Sequence, residues 1–271
     1  MDNIEFFIER FSRIYPLSHC LWRVPEAAAE LKFFPLQPPI LDLGCGDGTY
    51  AQAIFTRVAE VAPYKKYAPL IGLDPNPKET AKAIKLKIYD KVSTADSFAI
   101  PLPDASVNTI FSNSVVEHIK NKDGALREIS RVLAPGGAYL FSAPSQNYGS
   151  NFRIAEFLSR IGGPRLAKLW ISAINGKFKH YWIQSPEEWS EDLARHGLKT
   201  LKYRYTLSPR NSSLWELFLL PSYVQHLFAK KFGILPFASI TKKYLQKHIS
   251  ELTEDPNMET GGNIVILAQK I

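Results

Sequence analysis

A chain of 271 residues, 45% of them hydrophobic, has length for one α/β domain with a sizeable core and an elaborated subdomain. Its apolar runs stop short of ~18 residues, its opening MDNIEFFIERF has no leader pattern, and its two cysteines, Cys20 and Cys45, form no metal or redox spacing. These features argue against a spanning helix, a secretory leader and a disulfide scaffold, and make the cytoplasm the expected compartment. The net charge of +7 collects in residues 151–250, which hold 16 basic and 6 acidic residues, and fits either a solvated face or an anionic partner.

In chain order, Ile4, Phe7, Ile8, Phe11 and Ile14 share one face of a helix predicted over 3–14. A second, short helix is predicted over about 25–33, ended by the proline-rich stretch Pro35 to Pro39. The apolar run Ile40 to Leu43 breaks into Gly44-Cys45-Gly46-Asp47-Gly48, which reads as strand, glycine turn and then a helix from Thr49 to Val61. After a loop at Tyr64 to Pro69 come a strand at Leu70 to Leu73, a turn at Asp74 to Pro77 and a helix from Lys78 to Leu86. A weak strand near Ile88 to Val92 leads to a turn at Ala95-Asp96, and Val107 to Ser112 form the next strand. A helix over Gly124 to Leu133 stops at Ala134-Pro135-Gly136-Gly137 before a strand from Ala138 to Ala143. This alternation argues for a parallel sheet covered on both faces.

Past Pro144 the rhythm is lost. Residues 145–184 and 208–258 are rich in aromatic and basic residues, and between them lie a helix at Pro186 to His196 and a strand at Leu198 to Leu207. Asn263 to Gln269 form a last strand. The expected layout is a single domain over 1–271. Its core covers about 36–145, 185–207 and 259–271, its N-terminal cap helices 1–34, and its cap insertions about 146–184 and 208–258.

A glycine turn between a buried strand and a helix lets a ligand approach backbone N–H groups. A dinucleotide fingerprint would place its third glycine where Thr49 stands, and the glycines here are Gly44, Gly46 and Gly48. Asp74, at the end of the next strand, is a carboxylate that can accept from two ribose hydroxyls, and Asp96, at the end of the strand after, is one that could meet an adenine amino group.

The ordered set Leu41-Asp-Leu-Gly-Cys-Gly-Asp-Gly48, Leu73-Asp74, Ala95-Asp96, Pro103-Asp104, Ser112-Asn-Ser-Val-Val-Glu-His118 and Leu133-Ala-Pro-Gly-Gly137 resembles class I S-adenosylmethionine-dependent methyltransferases of the type 11, small-molecule branch. The resemblance covers about residues 40–145, and His180 to Leu198 more loosely. It implies a Rossmann-like α/β fold, a doubly wound, mostly parallel seven-stranded sheet with a helical cap inserted late. It implies S-adenosyl-L-methionine as cofactor: Asp42, Gly44, Cys45 and Gly46 at its methionine end, Asp74 and Pro75 at the ribose, Ala95, Asp96 and Ser97 at the adenine, and Asn113 near the sulfonium.

Direct displacement at a sulfonium needs an aligned nucleophile and makes a base optional. His118 and His180 are the candidate catalytic residues, each set against an ordinary packing role. Relatives that bind a metal here have an acid where Ser114 stands, so no metal is expected. Tyr15, Tyr181, Trp215 and Phe218 are the candidate substrate contacts, and Arg23 is expected to pair with Glu26 or Glu30 on its own helix.

The apolar segment from Leu214 to Phe237 points to a lipophilic or aromatic small-molecule acceptor. It also fits peripheral membrane contact through Lys230 and Lys231, or the core of the inserted subdomain itself. The alternatives are a nucleic-acid methyltransferase, disfavoured because no nucleic-acid module accompanies the basic stretch, and a non-catalytic cofactor-binding scaffold.

Overall fold

The computed structural model describes residues 2–61, 68–252 and 259–271. Part of the predicted loop at Tyr64 to Pro69, and residues 253–258 of the second insertion, lie outside the described residues. The strands are β1 (Ile40–Leu43), β2 (Leu70–Asp74), β3 (Lys91–Thr94), β4 (Val107–Asn113), β5 (Leu133–Pro144), β6 (Leu198–Thr206) and β7 (Asn263–Lys270). The helices run α1 (Asn3–Phe11), α2 (Leu17–Glu30), α3 (Thr49–Val61), α4 (Pro77–Leu86), α5 (Lys122–Val132), α6 (Arg153–Gly162), α7 (Pro164–Phe178), α8 (Pro186–Ala194), α9 (Pro209–Leu217), α10 (Leu219–Phe232), α11 (Ala238–Lys247) and α12 (Ile249–Leu252). Two compact units result: a sheet unit of Glu30–Pro144, His180–Tyr203 and Ile264–Ile271, and a helical unit of Met1–Ala29, Ser145–Lys179 and Arg204–Asn263.

The seven strands order as β3-β2-β1-β4-β5-β7-β6. The pairs β3–β2, β2–β1, β1–β4 and β4–β5 are all parallel. Every residue of β1 is buried, as expected of a central strand covered on both faces. Behind the sheet, Tyr139 stacks on Phe141 with centroids 4.6 Å apart, and Phe141 meets the fully buried Trp189 of α8 edge to face. Local chemistry sets the helix starts. Asn76 caps α4 ahead of Pro77, Asn121 caps α5, and Ser185 with Glu188 closes a capping box on α8.

Several boundaries differ from expectation, each for a physical reason. The first helix stops at Phe11, so Ile14 is exposed; Pro16 disfavours helix at the residue before it. The second helix is longer than predicted and starts at Leu17, carrying Pro25 inside it rather than at its start. β3 begins three residues late because Asp90 is tied to β2: its backbone N–H donates to the Leu70 carbonyl and its carboxylate accepts from the Leu70 N–H, both at 2.8 Å. β5 begins at Leu133 instead of Ala138. Val107 pairs with Leu133 and Thr109 with Ala138, so Ala134 to Gly137 bulge out of the ladder with Gly136 at φ +74°.

The helical unit is built on aromatic packing. Trp22, Tyr148, Phe152 and Phe178 all lie within 5.7 Å of one another or of Trp215, centroid to centroid. A buried polar pair supports it, with Glu216 accepting from Ile154 N–H at 2.9 Å and from the Trp170 indole at 2.6 Å. The outer side of the unit is different. Leu220, Tyr223, Val224, Leu227, Phe228 and Phe232 of α10 are all exposed, at the i, i+3, i+4, i+7, i+8, i+12 spacing of one helical stripe.

Candidate active site

The glycine turn after β1 is fastened to β2. Gly44 and Cys45 both donate their N–H groups to the Leu73 carbonyl, at 2.7 and 3.0 Å. Gly44 has φ +77°, and a Cβ there would come 2.3 Å from a Val115 methyl, so backbone and packing both demand glycine. Gly46, at φ +53°, differs: among the described residues nothing lies within 4 Å of the Cβ it lacks.

Asp74, the last residue of β2, joins three loops. Its Oδ2 accepts from Gly46 N–H at 3.0 Å, its Oδ1 from Asn76 N–H at 2.8 Å, and its main-chain carbonyl from Ala95 N–H at 3.2 Å. Each carboxylate oxygen keeps a further lone pair. Asp42 is buried in β1 at 3% exposure, where its Oδ2 accepts from the Tyr89 hydroxyl at 2.5 Å. Burial pushes its carboxyl up to about 7, with the Tyr89 hydrogen bond opposing and the Asp74 charge adding to the rise. Burial also raises the Cys45 thiol, which keeps it from acting as a thiolate.

At the end of β4, Asn113 donates through Nδ2 to Glu30 Oε1 at 2.8 Å and to Ser142 Oγ at 3.0 Å. The other oxygen of the fully buried Glu30 accepts from the Tyr50 hydroxyl at 2.8 Å. Pro75, directly after β2, and Asp96, beyond β3, are exposed, while Ala95 and Ser97 are half-buried.

A second group lies just past β4. Glu117 and His118 belong to one 3-10 turn, and His180 joins them from the segment ahead of α8. Two hydrogen bonds staple the segments together: Tyr181 N–H to the Glu117 carbonyl at 2.8 Å, and the Trp182 indole to the Ile119 carbonyl at 2.7 Å. One ligand atom from each of Glu117, His118 and His180 lies within 4.8 Å of the others, and the imidazoles are 5.2 Å apart. Burial, and then the neighbouring His118, pull His180 down to about 4, so it is neutral at pH 7.

A family model of methyltransferase domains matches residues 41–141, the stretch that builds the glycine turn, the Asp74 junction and Asn113. Residues 41–141 are those of a methyltransferase domain. The chain is similar to malonyl-[acyl-carrier protein] O-methyltransferase of Yersinia pestis, 32% identical over 126 residues that cover 46% of this chain and 43% of that protein. It is also similar to dimethylglycine N-methyltransferase of Parasynechococcus marenigrum, 28% identical over 165 residues, 58% of this chain and 56% of that protein. The matched stretch thus spans about half the length of these curated relatives or less. In fold, the chain resembles geranyl diphosphate C-methyltransferase from Streptomyces coelicolor A3(2) with TM-score 0.53, 17% identity, and coverage of 91% of this chain and 78% of that one.

The cofactor of this methyltransferase family is S-adenosyl-L-methionine, and the residues at the carboxyl ends of β1, β2 and β3 fit it. Gly46 leaves space beside a backbone turn, and Asp74 presents oxygens with lone pairs to spare. Asp42, Gly44, Cys45, Gly46, Asp74, Pro75, Ala95, Asp96, Ser97 and Asn113 all fall on the loops that leave the carboxyl ends of β1 to β4, or on those ends themselves.

The four candidate substrate contacts do not share one surrounding. Tyr181 is exposed in the sheet unit, with Lys120 Nζ 5.3 Å over its ring. Tyr15 is half-buried against Phe11 and His19, Trp215 is 5% exposed inside the aromatic cluster, and Phe218 packs edge-on to Tyr244. Arg23 pairs with Glu26 at 2.7 Å, as expected of its helix neighbour. Glu30, Tyr50, Tyr89 and Ser142 carry no local signal of their place in the site. Glu117 had one, its adjacency to His118.

Proposed function

We propose that the chain binds S-adenosyl-L-methionine at the carboxyl edge of the sheet and transfers the methyl group to a small lipophilic or aromatic acceptor by direct displacement. The observation that carries this reading is Asp74, whose two oxygens anchor Gly46 and Asn76 so that a carboxylate stands beside an open glycine turn. When bound, the cofactor supplies a sulfonium methyl, and its transfer leaves a neutral thioether.

The chain's own residues would orient and polarise. Asp74 would accept the ribose hydroxyls and Asp42 would attract the positive methionine end. Asn113, held by Glu30 and Ser142, would set the position beside the sulfonium. For an acceptor with a proton to lose, the Glu117, His118 and His180 group is the place where that proton would be handled, next along the chain from Asn113. The relatives' names span O-, N- and C-methylation, and the nature of the acceptor atom is part of the proposal rather than of the likeness.

The α10 stripe supports a lipophilic acceptor delivered from a membrane surface. Lys230 and Lys231 sit in the last turn of the same helix, and Lys243 and Lys247 lie on α11. No described helix is long and apolar enough to cross a membrane. We place the protein in the cytoplasm, peripheral to a membrane; its two cysteines are free thiols, as a reducing compartment would leave them.

Calorimetric titration with S-adenosylmethionine and S-adenosylhomocysteine, with NAD as control, tests the cofactor reading. Micromolar binding of the first two is expected, and binding of NAD instead overturns it. Sedimentation with anionic and neutral vesicles tests the membrane contact. Salt-sensitive capture on the anionic vesicles alone is expected, and no capture on either removes that contact.

A further inference from the structure

The Glu117, His118 and His180 group has the composition of a metal centre. Two imidazole nitrogens and one carboxylate oxygen are the donors of borderline divalent ions, and three protein donors leave a coordination position for a further ligand. The donors come from two chain segments, and the Tyr181 and Trp182 hydrogen bonds hold those segments in register irrespective of any ion. The arrangement is therefore preformed.

We infer that Glu117, His118 and His180 bind one divalent transition-metal ion of the Zn2+ class, with a position open to an oxygen of the acceptor. The clause on the acceptor rests on the methyl-transfer reading; the ion does not. It is the third donor that changes the expectation from sequence: the fold brings His180, 62 residues further along, beside Glu117 and His118.

Size and charge agree. Bonds of roughly 2.0–2.2 Å place the donors of a tetrahedral ion about 3.4 Å apart. His118 Nε2 is already 3.6 Å from Glu117 Oε1, and the three donors all lie within 4.8 Å of one another, a spacing that small side-chain rotations bring to bonding distance of one ion. Glu117 is 1% exposed, and a carboxylate so buried is stabilised by a cation at its oxygens. The lysines that follow are otherwise engaged: Lys122 pairs with Asp192 and donates to Gln184 at 2.7 Å, and Lys120 lies over the Tyr181 ring. An ion here would act as a Lewis acid on an acceptor hydroxyl. The hydroxyl proton passes to solvent, the oxygen forms its bond to the methyl carbon, and the C–S pair remains on sulfur.

The test uses the full chain stripped by chelator and titrated with Co2+ alone, following visible d–d absorption, with Zn2+ then competing against a chromophoric chelator. One ion per chain is expected, with affinity lowered about tenfold or more in both His180→Ala and His118→Ala. His118 lies at the rim, so its variant keeps the test decisive should Glu117→Gln, at a buried position, fail to fold. Wild-type protein that binds no stoichiometric Co2+, or His180→Ala that binds as tightly as wild type, overturns the inference. The stripped protein is titrated in parallel with S-adenosylmethionine. Cofactor binding without Co2+ binding rejects the metal and keeps the methyl-transfer reading, whereas Co2+ binding without cofactor binding rejects that reading and keeps the metal.

Discussion

The Tyr89 hydroxyl donates to Asp42 Oδ2 at 2.5 Å across 47 residues of chain, reaching from the half-buried residues ahead of β3 to the buried strand β1. The hydrogen bond favours the ionised carboxylate while burial opposes it, so Asp42 titrates near 7.

Cofactor affinity should therefore rise between pH 6 and pH 8, because a carboxylate that loses its proton attracts the cationic methionine end more strongly. Tyr89→Phe removes the favouring hydrogen bond, raises the Asp42 carboxyl further and should weaken binding at pH 7 by about tenfold, the equivalent of roughly 1.4 kcal/mol. Asp42→Asn should flatten the pH profile. Calorimetric titrations across that range check both, and a profile unchanged in Asp42→Asn removes Asp42 from the cofactor's surroundings.

The same shift has a consequence for stability. The folded state holds the Asp42 proton more tightly than the unfolded chain, whose carboxyl titrates near 3.8. The folded protein thus binds more protons between about 4 and 7, and Asp42's contribution to stability is present below that window and lost as pH rises through 7. Urea denaturation of wild type against Asp42→Asn across pH 5–8 should show the difference between them change by the order of 1 kcal/mol or more, with wild type losing ground as pH rises.

Asp74 serves the fold as well as the ligand. Asp74→Ala leaves the Gly46 and Asn76 N–H groups without their carboxylate, which should destabilise by about 1–3 kcal/mol on top of abolishing cofactor binding. Asp74→Asn retains one acceptor oxygen and should recover part of the stability without the affinity. Thermal melts beside calorimetry separate the two effects, and a variant that melts like wild type shows the loop does not depend on these bonds.

The two glycines of the turn should behave oppositely. Gly44→Ala places a methyl 2.3 Å from Val115 at φ +77° and should cost about 2 kcal/mol or more in stability. Gly46→Ala meets no described atom within 4 Å, so only its φ of +53° opposes it, by about 1 kcal/mol, while its methyl enters the space assigned to the cofactor. Equal melting temperatures for the two variants would contradict this placing.

Glu30 joins Tyr50 to Asn113 with no exposure to water. Glu30→Ala removes an acceptor of the Tyr50 hydroxyl and one of the two acceptors of Asn113 Nδ2, and should destabilise by about 1–3 kcal/mol. Glu30→Gln keeps the shape and accepts from at most one of them, and should lie between. Chemical denaturation of the three proteins orders them.

By itself the sequence determined the features whose cause is local. Strand, turn and helix alternate because apolar runs, glycines and capping side chains stand next to one another. So the span of α3 and the acids at the ends of β2 and β3 were legible, as was the cofactor class through the ordered motifs. Tertiary structure decided whatever depends on groups distant in the chain. Asp90 delays β3 by bonding Leu70, and Ala134 to Gly137 leave the ladder because β4 pairs on either side of them. The fate of the apolar segment after Leu214 was likewise undecidable from composition: Trp215 is buried among aromatics, while the α10 stripe a few residues on faces outward. Tyr89 finds Asp42, Glu30 finds Asn113, and His180 finds His118 only because the sheet and its crossings bring them together. Hydrogen bonds and ligand geometry act over a few ångströms, and no periodicity within a segment records which distant segment will supply the partner.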